Sequence, residues 1–172
     1  VGFIKDGKVS YKVYGKNAKE LPAELYIYEI GSLTKTFTAT LINKAVKEGK
    51  INIAVVLLRH ISNFTDFGVL ERDERVNLFY TNNTDDIEKA DIVILPGTKA
   101  TLDDLYELRR NGVSQAIIRA HARGTKVMGI CGGYQMLGQT VSDPDGVEGS
   151  IPQLPGLGLL PIRTRMQGEK IT

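Results

Sequence analysis

The sequence has one cysteine, no tryptophan, and no apolar run longer than the six residues from Ile53 to Leu58. A single thiol cannot close an internal disulfide, which fits a reducing compartment, and a cytoplasmic location is expected. The longest apolar run falls far short of the ~18 residues a spanning helix needs. The first residues lack the pattern of a signal peptide, so the sequons at Asn63 and Asn82 carry no weight. An excess of one charge is missing too. Lys and Arg number 22 against 20 Asp and Glu, a net charge of +2. That balance creates no broad field for a polyanion, so neither nucleic acid nor membrane is expected as a partner. Repeats and low-complexity tracts are absent.

What is present is globular. Hydrophobic residues make up 42% of the 172 and charged residues 24%, near the average for packed domains. A chain of this length buries about 70% of its unfolded surface and needs no staples.

The first fifty residues read as ββα. Val9, Tyr11 and Val13 alternate with polar residues, and Asp6-Gly7 is a hairpin-turn dipeptide, so Phe3 to Tyr14 is expected to be a hairpin. A helix is expected from Ser32 to Glu48, with Leu33, Phe37, Leu41 and Val46 at helical spacing. The pattern then changes. Strands are expected at Ile53–Leu58, Val76–Tyr80, Asp91–Leu95 and Lys126–Ile130. Helices are expected at Asp66–Leu70, at Thr101–Arg110 with Thr101 as cap, at Ser114–Arg123 and just after Cys131. Residues 143–156 read as a loop and Leu157–Arg165 as a strand. Alternating strands and helices imply a mostly parallel sheet with helices on both faces. The expectation is a three-layer α/β fold of flavodoxin-like type with an N-terminal ββα annex. The seam falls between Gly49 and Ile53. Segments 1–50 and 51–172 are expected to pack as one structural unit.

Gly129-Ile-Cys131-Gly-Gly133 lies between a predicted strand and a predicted helix. It is the cysteine form of the strand–turn–helix elbow that exposes a nucleophile. The flanking glycines are expected to relieve the cost of a strained turn. The helix N-terminus can lower the thiol pKa. The amide of Gly132, with that of Gly97 after another strand, could form an oxyanion hole. The competing reading is a buried structural cysteine.

Several further stretches accompany this motif: His60-Ile-Ser-Asn-Phe-Thr-Asp-Phe67, Asp91-Ile-Val-Ile-Leu-Pro-Gly-Thr-Lys99, Gly129 to Gly138, Asp143-Pro-Asp-Gly-Val-Glu148 and Gly156-Leu-Gly-Leu-Leu-Pro161. With them, residues from about 51 onward resemble the class I glutamine amidotransferase domain of the cobyric acid synthase family. The resemblance implies that Cys131 attacks the side-chain amide of glutamine and forms a γ-glutamyl thioester. It also implies that the ammonia serves an ATP-dependent synthetase in cobalamin biosynthesis. The family's catalytic His is expected beyond the segment matching 157–172. No Gly-x-x-x-x-Gly-Lys-Ser/Thr loop is present. His121 is expected to face solvent, and His60 to be a loop residue rather than a substitute base.

Ser32-Leu-Thr-Lys35 is an S-x-x-K at a helix start, where the amine lies one turn from the hydroxyl. In the context Tyr28-Glu-Ile-Gly-Ser-Leu-Thr-Lys-Thr-Phe37, residues 1 to about 50 resemble the N-terminal segment of the penicillin-binding-protein and class C β-lactamase family. The resemblance implies an acylated serine at Ser32 assisted by Lys35. No Lys-Thr-Gly-type strand follows. Ser32 and Lys35 are therefore expected to be vestigial, one a helix cap and the other solvated.

Other clusters read as structural. Asp143, Asp145 and Glu148 lack the spacing of a cation loop and read as a turn; no metal or cofactor is expected. Tyr11, Tyr14, Tyr26 and Tyr28 read as strand surface. Arg109, Arg110, Arg119, Arg123 and Lys126 read as a solvated helix face. Together these features lead to the expectation of an artificial chimera of two hydrolase segments, with Cys131 a vestigial nucleophile and no evolved activity. One alternative is a weak glutaminase using Cys131. Another is a module that binds glutamine or acyl groups without turnover. The partner to expect is a second copy of the chain, through edge pairing or exchange of elements.

Overall fold

A computed structural model describes residues 2–5, 8–11, 13–14, 20–21, 51–62 and 64–168. The chain divides into two compact units, Val1–Ile30 and Gly31–Thr172. In the first, β1 (Gly2–Lys5) pairs antiparallel with β2 (Lys8–Tyr11). Lys5 faces Lys8, leaving two residues for the connection, as the Asp-Gly dipeptide predicts. A short second pair joins β3 (Val13–Tyr14) to β4 (Glu20–Leu21). The expected helix at 32–48, and with it Ser32 and Lys35, lies outside the described residues, as does the start of the seam.

The second unit is built on four parallel strands: β5 (Ile51–Val56), β6 (Val76–Thr81), β7 (Ile92–Leu95) and β8 (Lys126–Gly129). Their order in the sheet is β6-β5-β7-β8. The apolar runs are continuous because both faces are covered. Ala54, Val56, Val93 and Leu95 point to one side, where Leu102, Leu105, Val113 and Ile117 cover them. Ile53, Val55, Ile92 and Ile94 point to the other, against Phe67 and Leu70. Phe67 sits in a 3₁₀ turn leading into α1 (Gly68–Glu71). Helix α2 (Thr84–Lys89) follows β6, and α3 (Thr101–Arg110) and α4 (Val113–Ala122) follow β7 in succession. After β8 comes the five-residue α5 (Gly132–Met136). The fold class is thus the expected one.

Some local expectations are corrected. Ala100, not Thr101, is the N-cap of α3, and Thr101 is its first helical residue. Its N–H is taken instead by Glu148 Oε2 at 2.7 Å. Residues 143–156 are not all loop, since β10 (Gln153–Pro155) pairs antiparallel with β9 (Thr140–Ser142). The strand expected over 157–165 shrinks to β11 (Arg163–Arg165), parallel to β9. Gly158 adopts φ +72° and the amides of Leu159 and Leu160 turn back to the Leu137 carbonyl, so the segment winds rather than extends. The basic face is partly committed: Arg119 and Arg123 both hold Glu88, at 2.7 Å each.

Asp143 explains the acidic loop. Its buried carboxylate accepts the N–H groups of Val147 and Glu148, both at 2.8 Å. These backbone donors, Glu148's first, hold its pKa below the ordinary 3.8, and burial opposes them. A depressed folded-state pKa contributes stability that is present above the unfolded value and lost as pH falls through the folded one. Acidification should therefore move the Val147 and Glu148 amide resonances together, with a midpoint below 3.8. Asp143→Asn should abolish the transition. A midpoint at or above the ordinary value would contradict the assignment.

Candidate active site

The strand order places a switch point between β5 and β7, whose following loops diverge at the carboxyl end of the sheet. Three loops meet there. Ile61 bridges to Thr98, and the Ser62 N–H donates to the Gly97 carbonyl at 2.8 Å. Ile130 N–H donates to the Leu95 carbonyl at 2.9 Å, which carries Cys131 out beside them.

Cys131 has φ 49° and ψ −117°. Among the described residues it is the one non-glycine with positive φ. An L side chain pays about 1–3 kcal/mol for such a conformation. The thiol is free and exposed, so it is not a buried packing residue. The flanking glycines act differently from the expectation. Gly129, Gly132 and Gly133 do not take positive φ; they allow close approach. A Cβ on Gly129 would lie 2.5 Å from the Tyr134 Cα, and one on Gly132 would lie 2.6 Å from the Thr98 Cγ2. On Gly133 it would meet the Leu95 carbonyl oxygen at 2.1 Å. The glycines let α5 cross tightly over the ends of β7 and β8, while the strain resides in the cysteine.

Gly97 is the partner on the opposite loop. A Cβ there would sit 3.6 Å from the Cys131 Cβ and 2.8 Å from the Ser62 Oγ. Gly97 and Gly132 are both buried, and among the described residues neither amide N–H is used in a hydrogen bond. Two buried donors left uncommitted next to a thiol are suited to an anionic oxygen. Ser62 and Asp104 were not singled out by sequence; only the fold brings them here. His121 is exposed on α4. The His60 ring is engaged by Asp104, with Nδ1 3.0 Å from Oδ1. Among the described residues no side chain hydrogen-bonds the Cys131 thiol. No three His, Cys, Asp or Glu side chains among them converge as a cation site requires.

The strain is measurable. Replacing Cys131 with glycine should relieve it, against about 0.5–1 kcal/mol of extra unfolded-state entropy for glycine. Cys131→Gly should accordingly be more stable than Cys131→Ala by about 1 kcal/mol in urea denaturation. Equal midpoints would mean the elbow is unstrained.

A four-stranded parallel sheet flanked by helices, with a cysteine at the elbow after its fourth strand, defines an α/β protein of the class I glutaminase-like fold. The chain belongs to the CobB/CobQ-like glutamine amidotransferase domain family, whose model matches residues 52–172. A β-lactamase model matches residues 1–71. Over 125 residues the chain is 74% identical to a cobyric acid synthase of Phocaeicola vulgatus, covering 73% of this chain and 25% of that protein. A cobyric acid synthase of Clostridium botulinum is 48% identical over 136 residues, covering 78% and 27%. The chain therefore spans about a quarter of the length of these curated relatives. A putative peptidase E from Listeria monocytogenes shares the fold, with TM-score 0.50 and 14% identity over 66% of this chain and 64% of its own. Among the described residues, no helix is long and apolar enough to cross a membrane.

Proposed function

We propose that residues 52–172 hold the nucleophilic half of a glutaminase site. Cys131 is the nucleophile. Its sulfur bonds to the side-chain amide carbon of glutamine and the thiol proton passes to solvent. The carbonyl oxygen becomes an oxyanion held by the amides of Gly132 and Gly97. The amide nitrogen takes up a proton and leaves as ammonia, giving a γ-glutamyl thioester. The observation that carries this reading is the strained, exposed Cys131 beside Gly97 and Gly132, two buried glycines whose N–H groups are uncommitted among the described residues.

The 172-residue chain acts as a half-site because no base is at hand for the thiol among the described residues. It reacts with an activated glutamine analogue but does not turn glutamine over. The chain itself is a fusion of two hydrolase segments; two different family models match it, at residues 1–71 and 52–172, and support this reading. Ser32 and Lys35 are remnants of the other segment.

The test uses a chloroketone analogue of glutamine. Sulfur displaces chloride and a thioether forms. Intact mass should rise by one adduct, mapped to the peptide containing Cys131 and missing from Cys131→Ala. Labelling no faster than with plain iodoacetamide would sink the assignment.

A further inference from the structure

Asp104 is a buried carboxylate in contact with the loops at the switch point, and the proposed chemistry does not use it. It lies in the first turn of α3 and is 1% exposed. Three donors converge on it from two loops. The His60 N–H reaches Oδ2 at 3.3 Å, His60 Nδ1 reaches Oδ1 at 3.0 Å, and the Thr98 hydroxyl donates to Oδ2. Thr98 Oγ1 in turn accepts the Ala100 N–H at 3.1 Å. The Lys99 N–H donates to the His60 carbonyl at 3.2 Å. The loop after β5 and the loop after β7 are thus tied to one carboxylate.

What these loops carry is the site. Thr98 follows Gly97 directly, and its methyl packs on Gly132. Ser62, two residues beyond His60, hydrogen-bonds the Gly97 carbonyl. Pinning Thr98 and His60 therefore fixes Gly97 from both sides and sets the gap between the two uncommitted amides. A charged acceptor is suited to this, because bonds to an ionised carboxylate are stronger and shorter than neutral ones.

We propose that Asp104 is a positioning residue for the oxyanion hole. Acting through Thr98 and His60, it holds the Gly97 amide at the distance from Cys131 that an oxyanion needs. The inference rests on the thiol chemistry proposed above.

The experiment compares two alkylations of the intact chain. Iodoacetamide reads thiol exposure and reactivity. The glutamine chloroketone also needs its carbonyl oxygen held. Because a misplacement of ~1 Å can cost about 10²-fold, Asp104→Asn should lower the chloroketone-to-iodoacetamide rate ratio about 10–10²-fold. The iodoacetamide rate should stay within about twofold, a split that general loosening of the fold would not produce. Thr98→Val removes one donor and keeps the shape. It should lower the ratio in the same direction by less, and it decides the matter if Asp104→Asn does not fold. A wild-type ratio in either folded variant overturns the proposal. If the wild-type chain itself shows no chloroketone preference, the thiol assignment and this inference fall together.

Discussion

Gly133→Ala should destabilise the chain by about 3 kcal/mol or more and abolish chloroketone labelling of Cys131. The new methyl would lie 2.1 Å from the Leu95 carbonyl oxygen and 2.6 Å from both the Leu95 carbonyl carbon and the Pro96 oxygen. All three are backbone atoms, so no side-chain rotation relieves the clash. Leu95 ends a central strand and is fully buried, and moving it disturbs the packing of both neighbouring strands. The alternative is for α5 to lift off, which carries the Cys131 turn and the Gly132 amide with it. The proper contrast is Gly68→Ala, where nothing lies within 4 Å of the added methyl and φ is not positive. That change should stay within about 0.5 kcal/mol. Urea unfolding of the two variants gives the comparison. A Gly133→Ala midpoint matching wild type would mean the helix does not cross the strand as closely as described.

The parallel sheet was legible because Ile53–Val56 and Ile92–Leu95 are apolar without alternation, the pattern of strands buried on both faces. The elbow was legible from Gly129-Ile-Cys-Gly-Gly, although the glycines act by close approach rather than by their own dihedrals. Helix α2 was not foreseen. Its six residues contain one buried apolar side chain, Ile87, so no period can appear. A local signal existed in Asn83, whose side chain caps the Asp85 N–H at 2.8 Å. The capping of α3 could not be read locally, because its acceptor Glu148 lies 47 residues away. The role of Asp104 could not be read locally for the same reason. In sequence it is a first-turn acid that suits the helix dipole, and only the meeting of the β5 and β7 loops makes it a buried anchor for His60 and Thr98. Ser62 is one small polar residue among several until the fold sets it against Gly97.

The second large expectation concerns glutamine itself. A thiol with no base at hand among the described residues, either to accept its proton or to activate the water that would hydrolyse the thioester, forfeits about 10²–10⁴-fold from acid–base catalysis. Oxyanion stabilisation by Gly97 and Gly132 does not replace it, since an amide that donates a hydrogen bond to the oxygen cannot take a proton from sulfur. Reaction with a chloroketone also gives the thiol proton to solvent, but chloride leaves without being protonated and no thioester has to be hydrolysed. The account therefore separates labelling from turnover: Cys131 is expected to react with a group that carries its own leaving group and not to turn over an amide. Measuring steady-state ammonia release from saturating glutamine, with Cys131→Ala in parallel, tests this most directly. The account predicts that the wild-type chain and the variant release ammonia at the same background rate. Sustained release that disappears in Cys131→Ala would contradict it and would mean that the chain supplies its own base.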